Sequence, residues 1–406
     1  MLSSADLTSQ INQLSDELVG ELVQFRRDLH AHPELAFTEH RTTQKVADRM
    51  QAAGLTVHRL SPTGLTADID AGTEPGPATR RRRRVALRAD LDALPLTEDT
   101  GLDFASTNEG ITHACGHDVH TTVVLGAGLV LAELARRGEL ASGVRLIFQP
   151  AEEVQPGGAL HLLDTGVLED TDRIFAVHCD PKVQVGRIGT RIGPITSASD
   201  TVTVTLSASG GHTSRPHLTG DVVYALGLVA TLTPALLGRR LDPRAGVNLT
   251  WGSIRAGNAA NAMPATGSIS GTLRCLEAGA RDRAEALLEE LITQVVGPTG
   301  VEVSVDLVRG VPPVQNDEDC TRVMDEAARS VLGPDSLVLT EQSLGGEDFG
   351  WYLTRTVGAL ARLGVRSPGG RGYDLHRPDL VVDEDAISVG TRFLAQVAVG
   401  AGHDLQ

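Results

Sequence analysis

A cysteine, a histidine and two glutamates lie in short segments whose spacing suits a divalent-metal site. Cys115 and His117 flank a single glycine at the start of a predicted helix, and Glu152 and Glu153 follow a predicted apolar strand. Thiolate, imidazole and carboxylate are the groups that bind zinc-like ions in proteins. One of two adjacent carboxylates can ligate while the other accepts a proton from water. These residues therefore predict a metal-dependent hydrolytic centre.

The predicted secondary structure brings these segments to one edge of a sheet. Apolar strands are predicted at 85–90, 144–149 and 174–178, with helical patterns between them. Strands that alternate with helices indicate an α/β fold with a mixed, mainly parallel sheet and helices on both faces. Ligands bind beyond the carboxyl ends of such strands. Two of the strands end in Asp90 and His178, and the glutamate pair follows the third.

The pattern changes at about residue 191, which predicts a second domain. From 191 to 309 the predicted order is β-α-β-β-α-β, the order of a ferredoxin-like unit, and helix–strand alternation then returns. We therefore predict a discontinuous catalytic, metal-binding domain at 1–190 and 310–406. Residues 191–309 would then form an inserted α+β domain.

Composition and charge disfavour several classes of partner. The chain has 406 residues, 41% of them hydrophobic, and a formal net charge of −16. This acidic balance disfavours nucleic acid and anionic membranes, and the run Arg80–Arg84 is expected to be an exposed, solvated loop. We find neither a secretory leader nor a stretch of about 18 apolar residues, and the four cysteines lack framework spacing. A cytoplasmic protein is therefore expected.

Spacing alone leaves the roles of other polar residues open. Asp118 and His120 follow the cysteine–histidine pair and are expected to orient ligands rather than to bind metal. His178 could also be a satisfied core histidine, because it ends an apolar strand. His376 lies in a polar segment near the end of the chain, where an ordinary loop histidine is an equal alternative.

Six segments spread along the chain resemble the M20 metallopeptidase family. They are Arg27–Glu34, Leu87–Pro95, His113–His120, Gln149–Glu153, Gly210–His217 and Gly345–Phe349. The resemblance is to the amidohydrolase branch, which includes hippurate, N-acyl-amino-acid and indole-acetyl-amino-acid hydrolases. It implies cleavage of the amide bond of N-acyl amino acids or related small conjugates by metal-activated water. A dipeptidase or carboxypeptidase of the same family is the alternative, and a non-catalytic metal-containing binding protein is a more distant one.

The resemblance also implies a role for individual residues. Glu152 is the implied general base and later general acid, and His212 is an implied lid histidine that stabilises the oxyanion, often from a dimer partner. The inserted domain that carries His212 is implied to act as a lid or as a dimerisation surface. Asn261 and Arg274 are implied to hold the substrate carboxylate. The implied ligands of two divalent ions (Zn, Mn or Co) are Cys115, His117, Glu153, His178 and His376, with Cys115 as the bridge.

One departure concerns the first metal ligand. Many relatives outside this branch carry a His-x-Asp ligand pair where this chain has Arg88-Ala-Asp90. Arginine is always cationic and cannot ligate, so His117 is the implied replacement, and Asp90 is expected to orient ligands. A thiol hydrolase that uses Cys115 with a nearby histidine is the alternative enzyme class. It would leave the glutamate pair without a role.

Overall fold

The structure is a computed structural model, and it describes residues 3–71 and 83–405. Its α-helices are α1 (Ser4–Ala31), α2 (His40–Ala52), α3 (His117–Arg136), α4 (Gly158–Leu163), α5 (Val222–Arg240), α6 (Ala278–Val296), α7 (Glu318–Leu332), α8 (Gly350–Leu353) and α9 (Asp385–His403). Its strands are β1 (Thr56–Arg59), β2 (Leu65–Ile69), β3 (Arg84–Asp90), β4 (Gly143–Gln149), β5 (Thr171–Gln184), β6 (Ile188–Thr190), β7 (Gly193–Pro194), β8 (Ala198–Ser207), β9 (Gly211–His212), β10 (Asn248–Ala256), β11 (Ala262–Met263), β12 (Thr266–Cys275), β13 (Glu302–Val308), β14 (Gln315–Asn316), β15 (Leu337–Leu339) and β16 (Val357–Arg366).

Several helices begin at a side chain that caps their free backbone amides. Ser3 and Asp6 exchange hydrogen bonds in a capping box at the start of α1. The side chain of Asp317 accepts the backbone N–H of Cys320 at the start of α7. Such caps satisfy amides that have no partner within the helix, and each stabilises its helix by about 1 kcal/mol.

The chain folds into two compact units, each with its own hydrophobic core. The first contains Met1–Gly193, Gln315–Glu341 and Asp348–Gln406, and the second contains Pro194–Val314 and Gln342–Glu347. The sequence had assigned this last segment to the first domain. Hydrogen bonds explain the difference: the Leu344 carbonyl accepts from Ser197 Oγ at 2.7 Å, and Ser343 N–H donates to the Ile195 carbonyl at 2.9 Å.

The first unit is built on an eight-stranded sheet with the order β1-β2-β4-β3-β5-β16-β6-β15. Its four central strands, β4-β3-β5-β16, are parallel, whereas β1, β2 and β6 each join an antiparallel pair. Every residue of β3 is buried, as are residues 358–365 of β16. Strands buried throughout require cover on both faces. The helices α3 and α9, which pack against each other, both contact β3. The predicted mixed, mainly parallel α/β fold is confirmed.

The arginine run is only partly described, and one of its residues corrects the prediction. Arg80–Arg82 lie outside the described residues. Arg83 is exposed, and its Nη1 donates to the Leu405 carbonyl at 3.0 Å. Arg84 instead begins β3, is 8% exposed and places Nη1 3.2 Å from Asp68 Oδ2. The prediction of a solvated side chain is therefore wrong for Arg84, because an acidic partner accompanies it into the sheet.

The second unit is built on a four-stranded antiparallel sheet with the order β10-β12-β8-β13. Val202, Val204 and Leu206 on β8 are fully buried, while Thr201, Thr203 and Thr205 between them are exposed or half-buried. The buried face is covered by α5 and α6, which also contact each other. A short ladder of β9 and β11 lies outside this sheet. The lid or dimerisation role of residues 191–309 stays a prediction.

Two helices of the described residues, α3 and α5, have the length and apolar composition of a membrane-spanning segment. This corrects the expectation that the sequence has no such stretch. In α3, 83% of the apolar window is buried inside the protein, as in the core helix of a globular domain. In α5 the buried share is 33%. Length and composition alone do not indicate a membrane partner.

Candidate metal centre

The predicted ligands converge beyond the ends of the central strands of the first unit. His117 begins α3, the glutamate pair follows β4, and His376 lies in the segment before α9. His117 Nε2 lies 3.9 Å from Glu152 Oε2 and 3.8 Å from Glu153 Oε1. His376 Nε2 lies 3.3 Å from the same Glu153 oxygen. Four side chains from three separate segments therefore face one point.

Cys115 belongs to two groups of candidate ligands. Its Sγ is 3.5 Å from His178 Nε2. Cys115, His117 and His178 place their ligand atoms within 4.8 Å of one another, and so do Cys115, Glu153 and His376. His117 and Glu153 also belong to more than one such group, so the bridging role of Cys115 stays a prediction. All five residues predicted as ligands are brought together.

Backbone geometry explains how the cysteine–histidine pair enters this space. Gly116 has φ +86°, in the left-handed region that glycine tolerates. A Cβ on Gly116 would lie 2.8 Å from Cys179 Sγ. Only glycine therefore fits the turn between Cys115 and His117. His178 lies inside β5, which is longer than predicted. Because β5 pairs with β3 only as far as Ala176, His178 still lies beyond the end of that pairing.

Hydrogen bonds to the backbone fix the tautomers of two histidines. Nδ1 of His117 lies 2.8 Å from the Asp92 carbonyl oxygen, and Nδ1 of His178 lies 2.8 Å from the Cys179 carbonyl oxygen. A carbonyl only accepts, so Nδ1 carries a proton in both rings, and in a neutral ring Nε2 keeps its lone pair. His117 Nε2 is buried and makes no hydrogen bond within the described part of the chain. A divalent ion would satisfy this buried acceptor, so the residues present fit a metal site.

The charge balance of the site does not favour a reactive thiol. Burial, and then the negative charge of Glu153, raise the pKa of the Cys115 thiol well above its usual value. Burial, and then the positive charge of Arg362, hold the pKa of His178 well below its usual value, so its imidazole is neutral. Nucleophilic cysteines have lowered pKa values in electropositive surroundings.

Asp92 was missed by the sequence analysis, although it holds the segment that carries both glutamates. Asp92 Oδ1 accepts the backbone N–H of Glu152 at 2.8 Å, and Oδ2 accepts that of Glu153 at 2.9 Å. The carboxylate is 1% exposed, and the carbonyl of the same residue binds His117. Only its place after the predicted strand, in Asp90-Leu-Asp92, could have indicated this function.

Asp90 and His120 form a second group with His117 whose atoms could also hold a metal ion. However, His120 Nδ1 lies 2.7 Å from Asp90 Oδ1, and its Nε2 accepts the backbone N–H of Cys179 at 2.8 Å. Both nitrogens of His120 are therefore engaged. Asp90 also accepts a hydrogen bond from Arg88 Nη1 at 2.6 Å. Asp90 and His120 thus have hydrogen-bond partners within the protein, and their role in orienting the metal ligands stays a prediction.

Arg88 is almost fully buried, and polar side chains accept its hydrogen bonds. Its Nε donates to Gln149 Oε1 at 2.9 Å, and its Nη2 donates to Asp348 Oδ1 at 2.6 Å. Asp118 is turned towards α1, where its Oδ2 lies 2.7 Å from Arg26 Nε and 2.8 Å from His30 Nδ1. Each of these buried charges has an opposite charge as its partner, which limits the cost of desolvation.

The predicted substrate residues lie in the second unit. His212 belongs to β9, and Asn261 immediately precedes its partner strand β11, so these two residues are neighbours. His212 Nδ1 accepts the backbone N–H of Ser214 at 3.1 Å, which places the proton of a neutral ring on Nε2. Arg274 is half-buried and donates from Nη1 to the Leu344 carbonyl.

The chain is similar in sequence and in structure to several known proteins. The sequence profile of peptidase family M20/M25/M40 matches residues 86–399. The chain is 46% identical over 391 residues, 96% of its length, to a candidate glutamate–cysteine ligase 2-3 of Rhodococcus jostii, but it spans only 48% of that protein. It is 34% identical over 381 residues to the N-acetylcysteine deacetylase of Bacillus subtilis, which is 93% of this chain and 96% of that protein. A crystal structure from Bacillus subtilis, described as a dinuclear metal binding peptidase from the M20 family, has a TM-score of 0.83 and 30% identity, over 96% of this chain and 99% of that one.

Proposed function

Because this chain belongs to peptidase family M20/M25/M40, we propose that it is a metal-dependent hydrolase that cleaves the amide bond of small N-acyl amino acids. The observation that carries the proposal is the convergence of five donor side chains, two of them histidines whose Nδ1–H groups bind backbone carbonyls and leave Nε2 for a metal ion. N-acetyl-L-cysteine is the first substrate to test, since a relative that shares nearly the full length is named as its deacetylase.

We assign the metal ligands from the geometry of the first unit. Two divalent ions would be held by Cys115, His117, Glu153, His178 and His376, with Cys115 shared between them. Thiolate, imidazole and carboxylate donors together suit Zn, Mn or Co. When bound, such ions polarise the substrate carbonyl and lower the pKa of water.

Glu152 is the proposed general base. Its carboxylate lies beside His117 and is 10% exposed, so water and substrate can reach it. Its backbone is held by Asp92, which limits the directions that the side chain can take. Glu152 would accept the proton of the attacking water and later donate it to the leaving amine. Glu153, with the same exposure, faces His376 and would serve as a ligand.

The second unit would complete the site by closure or through a dimer partner. His212, with its proton on Nε2, would donate a hydrogen bond to the oxyanion, and Asn261 and Arg274 would hold the substrate carboxylate. A neutral imidazole can supply this donor through Nε2–H. Exposed apolar side chains on α5, including Val223 and Tyr224, support a homodimer through this unit.

A thiol hydrolase is the second candidate, because Cys115 Sγ lies 3.5 Å from His178 Nε2. Its nucleophile would be a buried thiol with a raised pKa, and the glutamate pair would have no function. A dipeptidase or carboxypeptidase uses the same metal chemistry and differs only in the substrate, so assays must include peptides.

The proposal is tested by hydrolysis assays on N-acetyl-L-cysteine, other N-acyl amino acids and dipeptides. Dialysis against a chelator should abolish hydrolysis, and Zn, Mn or Co should restore it. A thiol alkylator applied to the metal-loaded enzyme should have little effect, since Cys115 is buried. Full activity in metal-free protein, together with loss on alkylation, would establish the thiol hydrolase instead.

A further inference from the structure

Glu39 is a fully buried carboxylate that has no part in the proposed reaction. It immediately precedes α2. Its Oε1 accepts the backbone N–H of Ala151 at 2.8 Å and that of Phe37 at 3.0 Å. Its Oε2 accepts the Oγ1–H of Thr63 at 2.5 Å. One carboxylate from a distant part of the chain therefore reaches the residue that precedes the proposed base.

Ala151 has an unusual backbone conformation that needs support. Its φ is +57°, in the left-handed region that residues other than glycine rarely adopt. Because Ala151 immediately precedes Glu152, its dihedral angles set the direction in which the chain leaves β4. Its carbonyl accepts the backbone N–H of Gly158 at 2.8 Å, and its N–H is bound by Glu39. The contact with Glu39 therefore helps to hold the turn from which the proposed base extends.

Two carboxylates bind the backbone amides of residues 151–153. Glu39 binds the N–H of Ala151, and Asp92 binds those of Glu152 and Glu153. Loss of Glu39 would free only the first of these three amides. The metal ligand Glu153 would remain attached through Asp92, while the turn before Glu152 would relax. A defect in turnover without loss of metal is the result expected from this arrangement.

We infer that Glu39 is a positioning residue that sets the direction of Glu152 without touching substrate or metal. This inference rests on the proposed function. Glu34 provides a matched control, because its carboxylate also binds two backbone amides beside α2. Its Oε1 accepts from Arg41 at 2.9 Å and its Oε2 from Thr42 at 2.8 Å. These contacts support the first turn of the helix and not the segment that carries the base.

The test compares Glu39→Leu, Glu39→Gln and Glu34→Gln with the wild type. Leucine removes the acceptor at similar volume, whereas glutamine keeps an oxygen for the two amides. We measure kcat and KM on the N-acyl amino acid that the wild type hydrolyses, metal per chain by mass spectrometry, and thermal unfolding. Glu39→Leu should lower kcat about 10- to 100-fold, the usual effect of losing an outer hydrogen-bond partner of a metal site. Its KM and metal content should stay near those of the wild type.

Glu39→Gln should restore most of kcat, and Glu34→Gln should keep it. If Glu39→Leu does not fold, Glu39→Met takes its place, since methionine is flexible and fills irregular space. Wild-type kcat in the apolar variant, loss of metal in step with kcat, or failure of both apolar variants to fold would overturn the inference. An inactive or chelator-resistant wild type would instead refute the proposed function.

Discussion

The buried carboxylate of Glu39 should make the stability of the first unit depend on pH near neutrality. Burial, aided by the nearby charge of Asp92, raises the pKa of Glu39 to about 7 from its ordinary 4.5, although hydrogen bonds from Thr63 and Ala151 oppose this rise. Between these two values the folded chain keeps a proton that the unfolded chain releases. The folded state therefore binds more protons, and the free energy of unfolding falls as pH rises from about 4.5 to about 7.

The size of this effect follows from the two pKa values. A pKa of about 7 against 4.5 corresponds to about 3 kcal/mol, since each pKa unit is worth about 1.4 kcal/mol. Glu39→Gln removes this contribution and keeps the shape of the side chain. Other groups titrate equally in both proteins, so the difference between them isolates Glu39.

Urea unfolding at pH 5 and pH 8, monitored by circular dichroism at one fixed metal concentration, measures that difference. At pH 5 Glu39 is neutral, so the variant and the wild type should unfold at similar urea concentrations. At pH 8 the carboxylate is charged, so the variant should be the more stable, by up to about 3 kcal/mol. A difference that is the same at both pH values would refute the assignment of a raised pKa to Glu39.

Three further substitutions test other parts of the site. Cys115→Asp keeps an anionic bridging donor and should retain measurable hydrolysis, whereas Cys115→Ala should lose metal by mass spectrometry; a trapped acyl-thioester would contradict both expectations. Asp92→Asn places an N–H donor against the backbone amide of Glu152 or Glu153, where an acceptor is needed. Because both glutamates would then shift, kcat and metal retention should both fall. His212→Ala should keep its metal and lose about 10²–10³ in kcat. Activity regained on mixing it with Glu152→Gln would show that His212 acts across a dimer, and an unchanged kcat would remove His212 from the mechanism.

The parts of the site that form local sequence patterns were predicted. Cys115 and His117 are close in the chain, and the glutamate pair follows an apolar run, so their types and order already indicate a metal site. Glu39 and Asp92 were not predicted, because they bind backbone amides far away in the sequence. An amide is present at every residue except proline, so no side-chain pattern reveals such contacts.

The fold shows the same contrast between local and distant information. Strands with apolar runs such as β3 and β4 were predicted near their observed bounds. The edge strand β1 was not predicted, because three of its four residues are exposed and it has no apolar face to read. Arg84 was misread because its partner Asp68 lies on another strand and was not visible in the run of arginines.

The central claim is that Glu152 is the general base and Glu153 is a metal ligand in the same site. The most direct test measures metal per chain and turnover on the same preparations of Glu152→Gln and Glu153→Gln. Glu152→Gln should bind metal as the wild type does and lose turnover, because only the proton acceptor is removed. Glu153→Gln should lose both metal and turnover. Loss of metal in Glu152→Gln with retention in Glu153→Gln would reverse the two assignments, and turnover in both variants would contradict the account.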